Sequence, residues 1–216
     1  MLALNLPQNA TAPLKILCLG SHSDDIEIGC GGTVLRLLSR NQELDIVWVV
    51  FGSSNERERE ARNSAALFLS QAKHKEIITK DFRDGFFPFE GAQIKSYFEE
   101  LKGIAPDLIF THNRRDAHQD HRLIAELTWD TFRNHLILEY EIPKYDGDFG
   151  QPNLFVPLDH EFYEKKVRYI MDAFETQRGK HWFEKETFLA LMRLRGMECV
   201  SPSGYAEAFY CRKLVV

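Results

Sequence analysis

Short apolar runs alternate with amphipathic stretches along the first two thirds of the chain. "LKILCLG" at 14–20, "LDIVWVVFG" at 44–52, "KEIIT" at 75–79, "PDLIFTHN" at 106–113 and "HLILEYEIP" at 135–143 are strand-sized and rich in strand formers. Between them the apolar period lengthens. Val34, Leu35, Leu37 and Leu38 give an apolar face to a helix over 31–40. Ala61, Ala65, Leu67, Phe68 and Leu69 do the same over 56–72, and further helices are predicted over 93–103 and 118–132. Strands separated by helices pair in parallel through right-handed crossovers. The fold class is therefore α/β, an open, mostly parallel sheet with helices on both faces.

The texture changes after residue 145. "YDGDFGQPN" is turn chemistry and runs into "LFVPL". Asp159 is a candidate N-cap for a helix to Thr176, a second helix covers 181–195, and "YAEAFYCRKLVV" at 205–216 reads as a last strand. This final third is expected to close the sheet and wall a ligand cleft. No repeat or low-complexity linker divides the chain. Its 216 residues, 44% of them hydrophobic, suffice for one core, so a single domain over 1–216 is expected.

Composition narrows the function classes. A net charge of −5 argues against a polybasic surface, and no nucleic-acid partner is expected. No apolar run approaches the ~20 residues of a membrane span, so no integral membrane segment is expected. "MLALNLPQNATAPLK" lacks a basic start followed by a long apolar run, and no signal peptide is read there. Four cysteines without a CxxC pair point to reduced thiols and a cytoplasmic chain.

In open α/β sheets, ligands bind beyond the carboxyl ends of the strands. Two strand ends here carry clustered ionisable groups: "SHSDDIE" after the first strand and "THNRRDAHQDH" after the fourth. His22 and Asp25 are three apart, as are His118 and His121, a spacing that lets each pair share one face. Two histidines and a carboxylate with open positions suit zinc or another divalent first-row metal. The ligand set read from this pattern is His22, Asp25 and His121. Asp24, adjacent to a ligand, is the candidate general base. A protonated His118 would stabilise a tetrahedral oxyanion and protonate the leaving amine, with Asp120 as its carboxylate partner. These parts describe metal-assisted amide hydrolysis.

Plainer readings compete. Asp24 and Asp25 could be loop charges, or Asp25 an N-cap. "GCGGT" could simply let the following helix pack close to the sheet. It does not have phosphate-loop spacing, and the carboxylates upstream would repel phosphate. His112 reads as a strand-end residue, and His74, His135, His160 and His181 as structural. The Glu/Arg run at 56–62 reads as a solvated helix face.

These residues resemble the LmbE-like (PIG-L) family of zinc-dependent N-deacetylases, which act on N-acetylglucosamine-type substrates. The family's first motif, AHPDD-x-E with a following GCGGT, stands here as "SHSDDIEIGCGGT", and its second, HPDH, as "HQDH". "REREARNSAALFL" and the late "YAEAF" extend the resemblance over most of the chain. It implies a Rossmann-like sheet, the same ligands, base and acid as above, and often oligomers of three or six chains. It also matches Arg57 to a substrate-contacting arginine, against the alternative of an i,i+3 pair with Glu60. Asp84 in "FRDGFF" is a substrate-contact candidate, against a simple turn. Ser21, Ser23 and Gln119 stand where the family has Ala, Pro and Pro, which loosens the loops without removing a ligand or base. The expected function is deacetylation of an N-acetylated amino sugar or its conjugate. The rivals are a non-catalytic sugar- or nucleotide-binding module and an amidase for a different acyl group.

Overall fold

The computed structural model describes residues 13–40 and 43–215. Residues 1–12, on which the signal-peptide reading mainly rests, lie outside the described residues, as does Val216 at the end of the predicted last strand. Seven strands form one sheet: β1 (Leu14–His22), β2 (Leu44–Gly52), β3 (His74–Thr79), β4 (Leu108–His112), β5 (Leu136–Tyr140), β6 (Leu154–Pro157) and β7 (Ala206–Cys211). The spatial order is β3-β2-β1-β4-β5-β7-β6. The first five pair in parallel, and β7 pairs antiparallel with both β5 and β6. The chain thus reverses direction across the sheet between β1 and β4. That is the switch point at which their carboxyl ends open a crevice.

Six helices cover the sheet: α1 (Asp25–Arg40), α2 (Glu56–Phe68), α3 (Gly91–Leu101), α4 (Gln119–Thr131), α5 (His160–Ala173) and α6 (Lys185–Glu198). They enclose two apolar layers. Trp48, Phe68, Tyr163 and Met192 lie in the layer under α1, α2, α5 and α6. Phe51, Phe98, Ile124 and Trp129 lie in the layer under α3 and α4. Burial on both faces explains why β1 and β2 read as continuous apolar runs rather than alternating ones. None of the helices among the described residues is long and apolar enough to cross a membrane.

The start of α1 differs from the sequence expectation. The helix begins at Asp25 and not at the predicted 31, so Gly29 also lies inside it. Glycine weakens an isolated helix, which is why the run reads as a helix lead-in. Here close approach prevails: an added methyl at Gly29 would strike the Tyr140 ring, and one at Gly31 the Phe68 ring. The middle of α1 is also held by side chains from the end of the chain. Glu207 accepts from Gly32 N at 2.8 Å and Thr33 N at 2.6 Å. Lys166 Nζ donates to Ile28 O at 2.6 Å and to Glu207 Oε1 at 2.6 Å. Ile28 O is the acceptor that Gly32 N would ordinarily use in an α-helix. The last third therefore fixes the helix that carries the first motif.

Candidate metal centre

The apolar run of β1 is buried up to Ser21 and delivers His22 to the sheet's carboxyl rim. Asp25 opens α1, where an acidic residue complements the helix dipole. Its Oδ2 accepts from His22 N at 2.6 Å, so the tight loop fixes the two residues relative to each other. On the neighbouring strand, β4 ends at His112 and a short turn follows. Asp116 N donates to Asn113 O at 3.0 Å, and Arg115 N donates to Asn113 Oδ1 at 2.9 Å. His118 is the N-cap of α4 and His121 lies in its first turn.

The two loops meet. His22 Nδ1 is 3.2 Å from His121 Nε2 and 3.5 Å from Asp25 Oδ2. His121 Nε2 is 3.5 Å from Asp25 Oδ1. Ligands at ~2.0–2.1 Å from a tetrahedral zinc stand about 3.3 Å apart, the spacing of the two imidazole nitrogens, while Asp25 approaches each of them with a different oxygen. The remaining ring nitrogens are held by carboxylates. His121 Nδ1 is 3.0 Å from Asp116 Oδ2, and His22 Nε2 is 3.1 Å from Asp120 Oδ2. Carboxylate–histidine pairs of this kind set the tautomer and aim of metal-holding imidazoles.

Three overlapping donor groups have ligand atoms within 4.8 Å of one another: His22, His118 and His121; His22, Asp84, His118 and Asp120; and Asp25, His112 and His121. His112 is the weakest candidate ligand. Its Nε2 already accepts from Ser21 N at 3.0 Å, and its ring stacks on His121 at 4.0 Å between centroids. It is fully buried and walls the site, a role its strand-end position alone did not reveal. Asp116 was visible in the sequence cluster but was given no role. Its position five residues before His121 was the available signal.

The electrostatics follow from burial and close partners. Burial works against a charged His22, but the carboxylates of Asp120, Asp25 and Asp84 outweigh it and raise its pKa. Burial likewise opposes the Asp25 charge, yet the imidazoles of His121 and His112 hold it well below the usual carboxylate range. His121 is pushed down to about 4 by burial and by His112. Burial raises Asp24, partly offset by Arg57. Arg57 Nη2 donates to Asp24 Oδ1 at 2.9 Å, while Asp24 Oδ2 is buried without a hydrogen-bond partner.

The geometry departs from the sequence reading in several places. The Asp120 carboxylate lies within 4.8 Å of His118 but makes no hydrogen bond to it. Its Oδ2 meets His22 and accepts from Gly85 N at 2.7 Å, and its Oδ1 accepts from Phe87 N at 3.1 Å. Residues two apart at a helix start do not face each other. It is the Asp120 backbone N–H that donates to His118 Nδ1, at 3.3 Å, which leaves the ring proton on Nε2. Burial and the charge of His22 lower the His118 pKa, against the raising effect of the Asp120 charge. The run at 56–62 is also not wholly a solvated face. Arg57 reaches Asp24 instead of Glu60, and Glu60 is buried, accepting from Thr176 N at 2.8 Å.

Asp84 sits on an exposed loop before Gly85, which has a φ of 78° and so takes the turn without strain. Its Oδ1 is 3.1 Å from His22 Nε2, and that contact lowers its pKa to about 2. The site thus gathers His22, Asp24, Asp25, Arg57, Asp84, His118, Asp120 and His121 around one rim. The assembly offers converging imidazole and carboxylate donor atoms, a carboxylate with one unpartnered oxygen, and an imidazole N–H donor.

The family model described as "PIG-L: GlcNAc-PI de-N-acetylase" matches residues 17–132. The uncharacterized deacetylase YaiS of Escherichia coli K12 is 27% identical over 164 residues, covering 70% of this chain and 86% of that protein. Among solved structures, the N,N'-diacetylchitobiose deacetylase of Pyrococcus horikoshii superposes with a TM-score of 0.72 at 21% identity, covering 91% of this chain and 83% of that one. GalB, the 4-carboxy-2-hydroxymuconate hydratase of Pseudomonas putida KT2440, superposes equally well at 0.72 with 15% identity, covering 94% and 98%. At these identities the two structures speak for the fold.

Proposed function

The chain belongs to the GlcNAc-PI de-N-acetylase (PIG-L) family, and from that membership we propose that it is a zinc-dependent deacetylase of an N-acetylated amino sugar or its conjugate. The observation that carries this reading is the convergence of His22 Nδ1, Asp25 and His121 Nε2 beside the half-partnered carboxylate of Asp24. His22, Asp25 and His121 hold the ion, and another divalent first-row metal would suit the same donors. When bound, the ion supplies an acidified water and a polarised acyl oxygen.

The protein groups complete the reaction. Asp24 takes the proton of the attacking water as its oxygen bonds to the acyl carbon. Arg57 holds Asp24 through Oδ1, leaving Oδ2 for that proton. The carbonyl electron pair moves to the acyl oxygen, and His118 Nε2–H donates a hydrogen bond to it. Asp24 then returns its proton to nitrogen as the C–N bond breaks, releasing acetate and a free amine. Asp120 steadies His22, while Asp84 and Arg57 stand at the mouth to meet sugar hydroxyls. The diacetylated disaccharide named for the Pyrococcus enzyme supports an amino-sugar substrate. Four free cysteines support a cytoplasmic setting. The resemblance supports a homo-oligomer of three or six chains.

The hydratase on the same fold makes product analysis decisive. Acetate release is expected from N-acetylglucosamine derivatives in a panel that includes N,N'-diacetylchitobiose and nucleotide sugars. It should vanish with a chelator and return with zinc. Full activity in chelated protein, or sugar binding without acetate release from any member of the panel, overturns the reading.

A further inference from the structure

Between β5 and β6 the chain makes an excursion over 141–150 whose ends are tied together. Gly150 N donates to Glu141 Oε1 at 3.2 Å. Arg195 donates to Glu141 Oε2 at 3.0 Å and Oε1 at 2.9 Å, and to Gly150 O at 3.2 Å. The Tyr210 hydroxyl donates to Glu141 Oε1 at 2.8 Å. A surface loop closed in this way is a built element and not a slack connection.

From inside this loop Lys144 reaches back toward the site. Its side chain is only 11% exposed. Nζ donates to Asp148 Oδ1 at 2.7 Å and Oδ2 at 2.6 Å, and lies 3.1 Å from Asp116 Oδ2. Asp148 Oδ2 also accepts from Ala117 N at 2.6 Å, which clamps the loop onto the turn before α4. Asp116 in turn touches both histidines of the second motif. Its Oδ1 accepts from His118 N at 2.8 Å, and its Oδ2 faces His121 Nδ1 at 3.0 Å. One ammonium therefore sits between two carboxylates, and one of those carboxylates orients the site. Without the ammonium, Asp116 and Asp148 would repel each other where little water can screen them.

We propose that Lys144 is a positioning residue for the metal centre. Its ammonium keeps Asp116 on His121 Nδ1 against the repulsion of Asp148, so that His121 presents Nε2 toward His22 and Asp25. This inference rests on the metal-centre reading above. A lysine that merely packs the loop would not depend on the charge of Asp148, and that dependence is what the experiment reads.

The variants are Lys144→Met, Lys144→Arg, Asp148→Asn and the double variant Lys144→Met/Asp148→Asn, each checked for folding by thermal melting. Zinc affinity is measured by competition with a chromogenic chelator, and the His121 tautomer by long-range ¹H–¹⁵N NMR on zinc-free protein. The expected result for Lys144→Met is zinc bound about 10–100-fold more weakly, the scale of a lost carboxylate partner, with a shift away from the Nδ1–H tautomer. Lys144→Arg and Asp148→Asn keep the parent tautomer. The double variant recovers most of the affinity and the tautomer, because the repelling charge is gone. An unchanged His121 tautomer in Lys144→Met overturns the proposal, and so does a double variant no better than the single one. If the parent protein binds no zinc, the proposed function fails, while the tautomer series still decides the role of Lys144.

Discussion

Two of the buried groups of charged side chains are composed differently. Near α5, α6 and β7, Lys166 meets Glu207 at 2.6 Å and Arg195 meets Glu141 at 2.8 Å, each cation matched to a carboxylate and to main-chain groups. At the rim of β1 and β4, Asp25 and Asp120 face imidazoles rather than lysine or arginine. An imidazole can give up its proton and ligate a metal, which an arginine cannot and a lysine seldom does. The first group is complete by itself and fixes backbone. The second leaves negative charge and free lone pairs directed at a common point. That difference sets the proposed cation site apart from a structural ion pair.

The comparison can be broken from either side. Asp24→Asn is expected to lower kcat/KM for acetate release by about 10²–10⁴ without lowering stability, since the base is removed and the volume kept. A variant with parental kcat/KM would dissolve the distinction. Lys166→Met should do the converse. It leaves Glu207 buried beside α1 without its partner and should cost about 3–5 kcal/mol in denaturant unfolding, while zinc affinity per folded molecule stays near the parent value. Adding Glu207→Gln should return part of the loss.

Smaller effects sharpen the contrast. Asp116→Asn is expected to weaken zinc about 10–100-fold by chelator competition, because His121 loses an anionic partner. Glu27 gives a pH test. Burial pushes its carboxyl well above the ordinary value of 4.5, and neither of its oxygens has a hydrogen-bond partner. An acid with a raised folded pKa contributes stability that is fully present below its unfolded pKa and is lost as pH rises through the folded pKa. Glu27→Gln should therefore gain stability relative to the parent from about pH 4.5 upward. Urea midpoints at pH 4 and pH 8 measure that gain, and a pH-independent difference would refute it.

Much of this was legible in the sequence, for reasons that differ by region. β2 matches its predicted span because a strand buried on both faces must be apolar throughout. The pairing of "SHSDD" with "HQDH" was readable because parallel strands deliver both motifs to one rim. The start of α1 was not readable from local propensity, because its glycines answer to Tyr140 and Phe68, distant in sequence. The hydrogen-bond partners of Asp120 are not legible in the sequence, because residue spacing cannot report that Gly85, Phe87 and His22 converge on it. Lys144 carried no signal at all, since its role depends on a loop closed by Arg195.

The grip of Glu207 on Gly32 and Thr33 also bears on the order of events during synthesis. The first motif leaves the ribosome well before β7, yet the helix behind it is restrained by that strand. Nascent chains stalled before residue 207 should bind zinc poorly even with every ligand already translated, and competence should arrive abruptly as β7 emerges.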